Sequence, residues 1–173
     1  MKQKRIMFYD AFTTERFCGN IAGVVPDSDG LTPVEMQAIA AELGAPTTGF
    51  AGPIRNGRMS LAFYTPTMEI DMCGHVVVGV LSALHDLGRL GDIGRLGERP
   101  ANLDITVATK AGDLDCSIVA DGDQDIVLLR QNLPLFKSLD VETAQVADIL
   151  GIEEADIDAS LPIEMASTAL RHM

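Results

Sequence analysis

The chain has 173 residues, 47% of them apolar, with a formal charge of −12 and only 13 lysines and arginines. That apolar share is enough for a sizeable core in a single domain, while the acidic balance and the scatter of the basic residues argue against nucleic acid and anionic lipid as partners. No window holds the roughly 18 consecutive apolar residues of a membrane span, and the opening Met1-Lys2-Gln3-Lys4-Arg5-Ile6 lacks the apolar run of a secretory signal, so no membrane is expected and the cytoplasm is the expected compartment.

In chain order, Arg5 to Phe12 reads as a strand, Cys18-Gly19-Asn20 as a turn and Gly23-Val24-Val25 as a second strand. A helix is expected from Leu31 to Leu43. Thr32 is a good N-cap, Pro33 suits the first helical position, Glu35 completes a capping box, and Gly44 ends an apolar stripe of Met36, Ile39, Ala40 and Leu43. Met59 to Thr65 is the next strand. The run Val76-Val77-Val78-Gly79-Val80-Leu81 opens a helix over about 74–87 that is apolar on nearly every side, as a helix enclosed by a sheet would be. Its valines give it poor intrinsic propensity, so burial must hold it.

After a Gly-rich link from Gly88 to Gly97, hairpin strands are expected at Leu103 to Lys110, Leu114 to Ala120 and Ile126 to Arg130, the last two joined through Asp121-Gly122-Asp123. Val141 to Leu150, closed by Gly151, reads as a surface helix, and Glu153, Glu154, Asp156 and Asp158 as a solvated face.

The stretch Phe63 to His75 carries the chemistry. A strand ends at Thr65-Pro66, the chain turns, and Cys73-Gly74-His75 arrives where the apolar helix begins. The first N–H groups of a helix have no internal acceptor and lie at the positive end of the peptide dipole, so they can hold a carboxylate. That field also favours the ionised, basic form of a thiol placed there. Gly74 lets a ligand approach the backbone, and His75 moves protons near neutral pH. Spacing alone favours a packed, structural pair over a functional one. Glu69 and Asp71 are candidates to orient His75 or cap the helix, with capping or exposure the simpler role.

The three cysteines make neither a disulfide framework nor the paired spacing of structural zinc, and Cys73, His75 and His85 do not have metal-site spacing. Cys116 is expected on the strand face opposite Leu114, in a structural role. Cys18 is read as a small residue in a tight turn, with oxidative pairing to Cys73 as the alternative.

Five blocks resemble, in order and spacing, the amino-terminal half of the PhzF-like isomerases of the diaminopimelate-epimerase-like fold: Asp10-Ala11-Phe12-Thr13, Phe17 to Val25, Leu31 to Leu43, Phe63-Tyr64-Thr65-Pro66 and Cys73-Gly74-His75. A weaker likeness runs from Ala111-Gly112 to Ser167-Thr168-Ala169-Leu170-Arg171-His172. The resemblance implies an α+β half, an antiparallel barrel-like sheet around a central helix at about 74–87 with one or two covering helices. It also implies a cofactor-independent proton shift on a small carboxylate-bearing substrate, in a cleft between two such halves.

Carried over residue by residue, His75 falls on the family's active-site histidine and Gly19 with Asn20 on its Gly-Asn loop. The family's catalytic glutamate position is Thr47, in Pro46-Thr47-Thr48-Gly49-Phe50, and a threonine hydroxyl cannot shuttle protons at neutral pH as a carboxylate does. Cys73 resembles the cysteine base of the related diaminopimelate epimerases and proline racemases. His75 and Cys73 are therefore the expected catalytic pair, with Gly19, Asn20, Thr47, Thr48 and Gly74 around the substrate and no metal or cofactor. Family chains are nearly twice as long, so residues 1–173 are expected to form one amino-terminal domain, with about 160–173 leading toward a second half. A homodimer would bring two half-clefts together; the alternative is a non-catalytic half-domain that keeps an anion-binding helix end for binding or assembly.

Overall fold

The computed structural model describes residues 3–90, 102–122, 124–131, 133–167 and 171–172. Contacts divide the chain into two units, Met1–Arg130 and Gln131–Met173.

The first unit is a curled sheet of eight strands: β1 (Met7–Ala11), β2 (Asn20–Val25), β3 (Thr48–Ala51), β4 (Arg58–Tyr64), β5 (Glu69–Ile70), β6 (Asn102–Thr109), β7 (Gly112–Asp121) and β8 (Gln124–Leu129). The strands follow the order β1-β2-β3-β4-β6-β7-β8, with β5 paired beside β4. Most neighbours are antiparallel, as expected, but β2 with β3 and β4 with β6 run parallel. Each parallel pair is bridged by a helix-bearing connection, the crossover that parallel strands require. The bridges hold α1 (Pro33–Leu43) and α2 (Gly74–Asp86).

α1 begins as the sequence dictates. Thr32 accepts from the Glu35 N–H while the Glu35 carboxylate accepts from Thr32, and Gly44 closes the helix in the left-handed conformation at φ 67°. It covers one face of the sheet, where Met36, Ile39 and Ala40 pack with Val25, Phe50 and Tyr64. The rings of Phe50 and Tyr64 meet edge to face with centroids 5.4 Å apart.

α2 lies on the other face, against β1, β2, β3 and β8. Val76, Val77, Val80, Leu81, Ala83 and Leu84 are all buried in it, each large aliphatic side chain stabilising by about 1.5–3 kcal/mol. They share one core with Ala22, Val24, Leu61, Phe63, Leu103, Ile105 and Val107. This is the enclosed central helix that its all-round apolar sequence predicts.

Two sequence expectations change. Cys116 lies on the same face as Leu114, not the opposite one: β7 buries Leu114, Cys116 and Ile118 in alternation, because residues two apart in a strand share a face. Burial pushes its thiol up to about 11, consistent with the structural role expected. β3, which the sequence reading passes over as a strand, is buried along its whole length. Of the Gly-rich link, residues 91–97 lie outside the described residues, as does Asp123 of the predicted hairpin turn.

The second unit pairs β9 (Leu135–Ser138), β10 (Glu164–Ser167) and β11 (Arg171–His172) antiparallel in the order β11-β10-β9. It also holds α3 (Thr143–Leu150), which ends at Gly151 in the left-handed conformation as its sequence predicts.

Candidate functional site

The head of α2 is built by a turn. Thr65 at the end of β4 receives the Met68 and Thr67 N–H groups on its hydroxyl, which folds the chain back into β5. Met72 is buried, and Cys73 takes an extended N-cap conformation (φ −147°, ψ 109°) before helical geometry starts at Gly74. No side chain caps this terminus, so its first amides have no side-chain acceptor among the described residues. A Cβ placed on Gly74 would meet nothing within 4 Å, so the space beside that Cα is open.

In an ideal helix residues two apart do not face each other. The extended Cys73 breaks that rule and turns its side chain back, so its Sγ lies 3.2 Å from Nδ1 of His75. Both residues are half-buried. The other ring nitrogen, Nε2, is closed off from solvent, and the Ile21 backbone lies within reach of the ring. Burial pushes the His75 pKa below its ordinary value, and the Ile21 backbone pulls weakly the other way. The imidazole is thus biased toward its neutral form, the form that can accept a proton.

Ile21 enters through the loop before β2. Asp10 accepts from the Phe17 N–H and Thr13 from the Glu15 N–H, and Gly19 packs so tightly that a Cβ would lie 2.5 Å from Thr13 Cγ2 and 2.6 Å from the Ala11 carbonyl. Phe12 and Phe17, both at φ 65°, occupy the left-handed region that bulky residues rarely adopt. The two residues are 73% and 93% exposed. Asn20 opens β2 with an exposed side chain, and the chain runs from it straight to Ile21 beside His75.

Thr47 and Thr48 lie at the head of β3 and are buried. The Thr47 carbonyl accepts from the Gly23 N–H, and Thr48 packs over Gly23 with its hydroxyl unpartnered among the described residues. Gly49 turns toward Val76 and Val80 of α2, so strand alternation gives Thr47 the same side and Thr48 the opposite one.

Glu69 and Asp71 do not cap α2. Glu69 is engaged by Lys110 Nζ at 2.5 Å, and Asp71 is exposed. His85 stands ten residues along the same helix, about 15 Å from His75, against Asp125 at 3.6 Å; Cys73, His75 and His85 do not converge. Cys18 is exposed and Cys73 is a free thiol. A cavity of about 680 Å³ over β6 and β7 and one of about 570 Å³ between β1, α2 and β8 are not lined by Cys73 or His75, though Asp10, Phe12 and Thr13 of the loop line the second. The residue that sequence reasoning missed is Ile21; its place directly after Gly19-Asn20 is the only signal that could have found it.

The fold agrees with the comparisons. The model of the PhzC-PhzF family, phenazine biosynthesis-like protein, matches residues 9–173, and the chain belongs to that family. It is 34% identical over 170 residues to the uncharacterized isomerase YfhB of Bacillus subtilis, covering 98% of this chain and 55% of that one. To the uncharacterized isomerase YddE of Escherichia coli K12 it is 33% identical, covering 95% and 52%. Among solved structures, a Bacillus anthracis phenazine biosynthesis protein of the PhzF family superposes with TM-score 0.81 at 37% identity, over 99% of this chain and 55% of that one. A hydroxyproline epimerase from Agrobacterium vitis shares the fold with TM-score 0.60 at 11% identity. The chain spans about half the length of the curated relatives it matches.

Proposed function

We propose that this protein is an isomerase or epimerase that moves a proton at a carbon beside a carboxylate, without a cofactor, using the Cys73–His75 couple. The observation that carries the reading is the 3.2 Å contact between Cys73 Sγ and His75 Nδ1 at an uncapped helix terminus. The amides of Gly74 and its neighbours hold the carboxylate and stabilise the charge that develops when the adjacent carbon loses its proton. Asn20 and the Gly19 turn form one rim, with Thr47 on the sheet side. The isomerase names of the relatives support the reaction class.

A two-fold homodimer would set a second α2 head opposite the first, and exposed Phe12 and Phe17 beside the Gly19-Asn20 loop give it apolar surface to cover. A cytoplasmic, biosynthetic setting fits a small-molecule isomerase. The buried Thr47, in place of a carboxylate, favours a second reading as a non-catalytic half-domain that binds anions.

The test is solvent deuterium incorporation into a panel of small amino and hydroxy acids, compared between the wild type and His75→Ala. Exchange lost in the variant supports the enzyme; no exchange with any acid, together with carboxylate binding, supports the half-domain. Sedimentation of the chain decides the dimer, since a monomer at every concentration removes it.

A further inference from the structure

Between His75 and Asp86, α2 carries two polar side chains, Ser82 and His85, on a helix otherwise built there of Val, Leu, Ala and Gly. They stand one helical turn apart and so share a face. Helical side chains lean toward the helix N-terminus, which tips the His85 ring back over Ser82. From β8, Asp125 brings Oδ2 to 3.6 Å from His85 Nδ1, and the two side chains are only 19% (His85) and 15% (Asp125) exposed. Ser82, His85 and Asp125 all line one cavity of about 320 Å³, together with the Thr14 hydroxyl and the Gln124 amide. The Ser82 hydroxyl makes no hydrogen bond among the described residues, so it can turn to the ring.

We propose that Ser82, His85 and Asp125 form a second reactive centre, one that hydrolyses small uncharged or cationic esters through an acyl-Ser82 intermediate. This goes beyond the isomerase reading: Ser82 lies about 10 Å along α2 from His75, and the centre shares no residue with the Cys73–His75 couple. The roles follow from which ring nitrogen meets the carboxylate. Nδ1 faces Asp125 and keeps its proton there, which leaves Nε2 as the basic atom for the hydroxyl. Asp125 is thus a positioning residue, and Ser82 and His85 are the catalytic ones. Asp86 and Asp125 line the cavity and, among the described residues, no lysine or arginine does, so anionic acyl groups are turned away.

The atoms balance. Ser82 Oγ adds to the ester carbonyl carbon as its proton passes to Nε2, and the Gln124 amide and Thr14 hydroxyl are the donors within the cavity for the oxyanion. The adduct collapses, the bond to the alcohol oxygen breaks, and the imidazolium gives that oxygen its proton. Water then adds to the acyl carbon and leaves a proton on Nε2. Ser82 departs with that proton, and a carboxylic acid is released.

The experiment treats the full chain with an alkyl fluorophosphonate, and separately with p-nitrophenyl acetate, and locates the adducts by mass spectrometry. The wild type should carry one phosphonyl or acetyl group on Ser82, and Ser82→Ala should carry none at that position. His85→Gln should slow phosphonylation of Ser82 by about a hundredfold, the lower end of what a general base contributes. Asp125→Asn should slow it too, and Asp125→Glu should restore part of the rate, which a merely structural contact would not do.

A folded wild type with no adduct on Ser82 overturns the proposal, as does an equal rate in His85→Gln. Thermal midpoints report whether each variant is folded. If His85→Gln is not, the Asp125 pair decides: loss in Asn with recovery in Glu supports the proposal, and equal rates in both overturn it. Neither reagent reports on the proton shift proposed for Cys73 and His75, so a failed isomerase assay and an unlabelled Ser82 are separate results.

Discussion

Gly49 and Val76 meet across the β3–α2 interface so closely that a Cβ on the glycine would fall 2.6 Å from Val76 Cγ1 and 2.7 Å from Val80 Cγ2. The contact sets how deeply the head of α2 seats against the sheet. Gly49→Ala should therefore destabilise the fold by about 1–3 kcal/mol, the usual cost of an extra methyl in a filled core. Urea unfolding would show it as a lower midpoint at unchanged slope, and an unchanged midpoint would mean that α2 can shift outward freely.

Tyr9 donates to Asp86 at 2.9 Å, and burial together with that carboxylate pushes its pKa up to about 12. Because the folded value lies above the unfolded one near 10, the contribution to stability is complete below pH 10 and fades as the pH rises toward 12. Tyr64, the other tyrosine, is also pushed up, first by burial and then by Glu69. Absorbance at the phenolate band should show no ionisation wave at the ordinary position in the folded protein, and Asp86→Ala should move the Tyr9 wave downward.

For His75 the sign is opposite. Its folded pKa lies below the ordinary imidazole value, mainly through burial, so the unfolded chain takes up the proton first. The contribution to stability is present above about pH 6.5 and is lost as the pH falls through the folded value. In an NMR titration, the imidazole signal missing from His75→Ala should titrate below the ordinary midpoint.

Thr32 is the cheapest element to break. Replacing it with Ala removes the acceptor for the Glu35 N–H and should cost about 1 kcal/mol, measurable as a small fall in thermal midpoint. The Glu35 pKa, held low by the Thr32 backbone N–H first and its hydroxyl second, should rise only part of the way, because the backbone donor survives the substitution.

What could be read in the sequence was whatever is local. Thr32, Pro33, Glu35 and Gly44 mark α1 because capping is decided within one turn, and the valine run marks α2 because an all-round apolar helix has one plausible home. β3 was missed: Thr48-Gly49-Phe50-Ala51 is covered by α1 packing on one side and α2 on the other, so it lacks alternation, and its glycine exists for Val76, a partner 27 positions away. The Cys73–His75 contact was also beyond reach, because only the extended conformation of Cys73 brings the two side chains together. The neighbourhood of Ile21 and His75 is likewise a product of tertiary packing.

Among the described residues the eight-stranded sheet ends on β1 and β8, each with a neighbour on one side, while β3 and β4 lie between partners and between helical layers. The ladder should therefore open from its rims. In heavy water, amide protons of β1 and β8 should exchange earliest and those of Phe50 and Phe63 last, since freeing these two requires the layers above and below to part as well. The slowest-breathing part of the first unit would then be the wall against which the reactive end of α2 is braced.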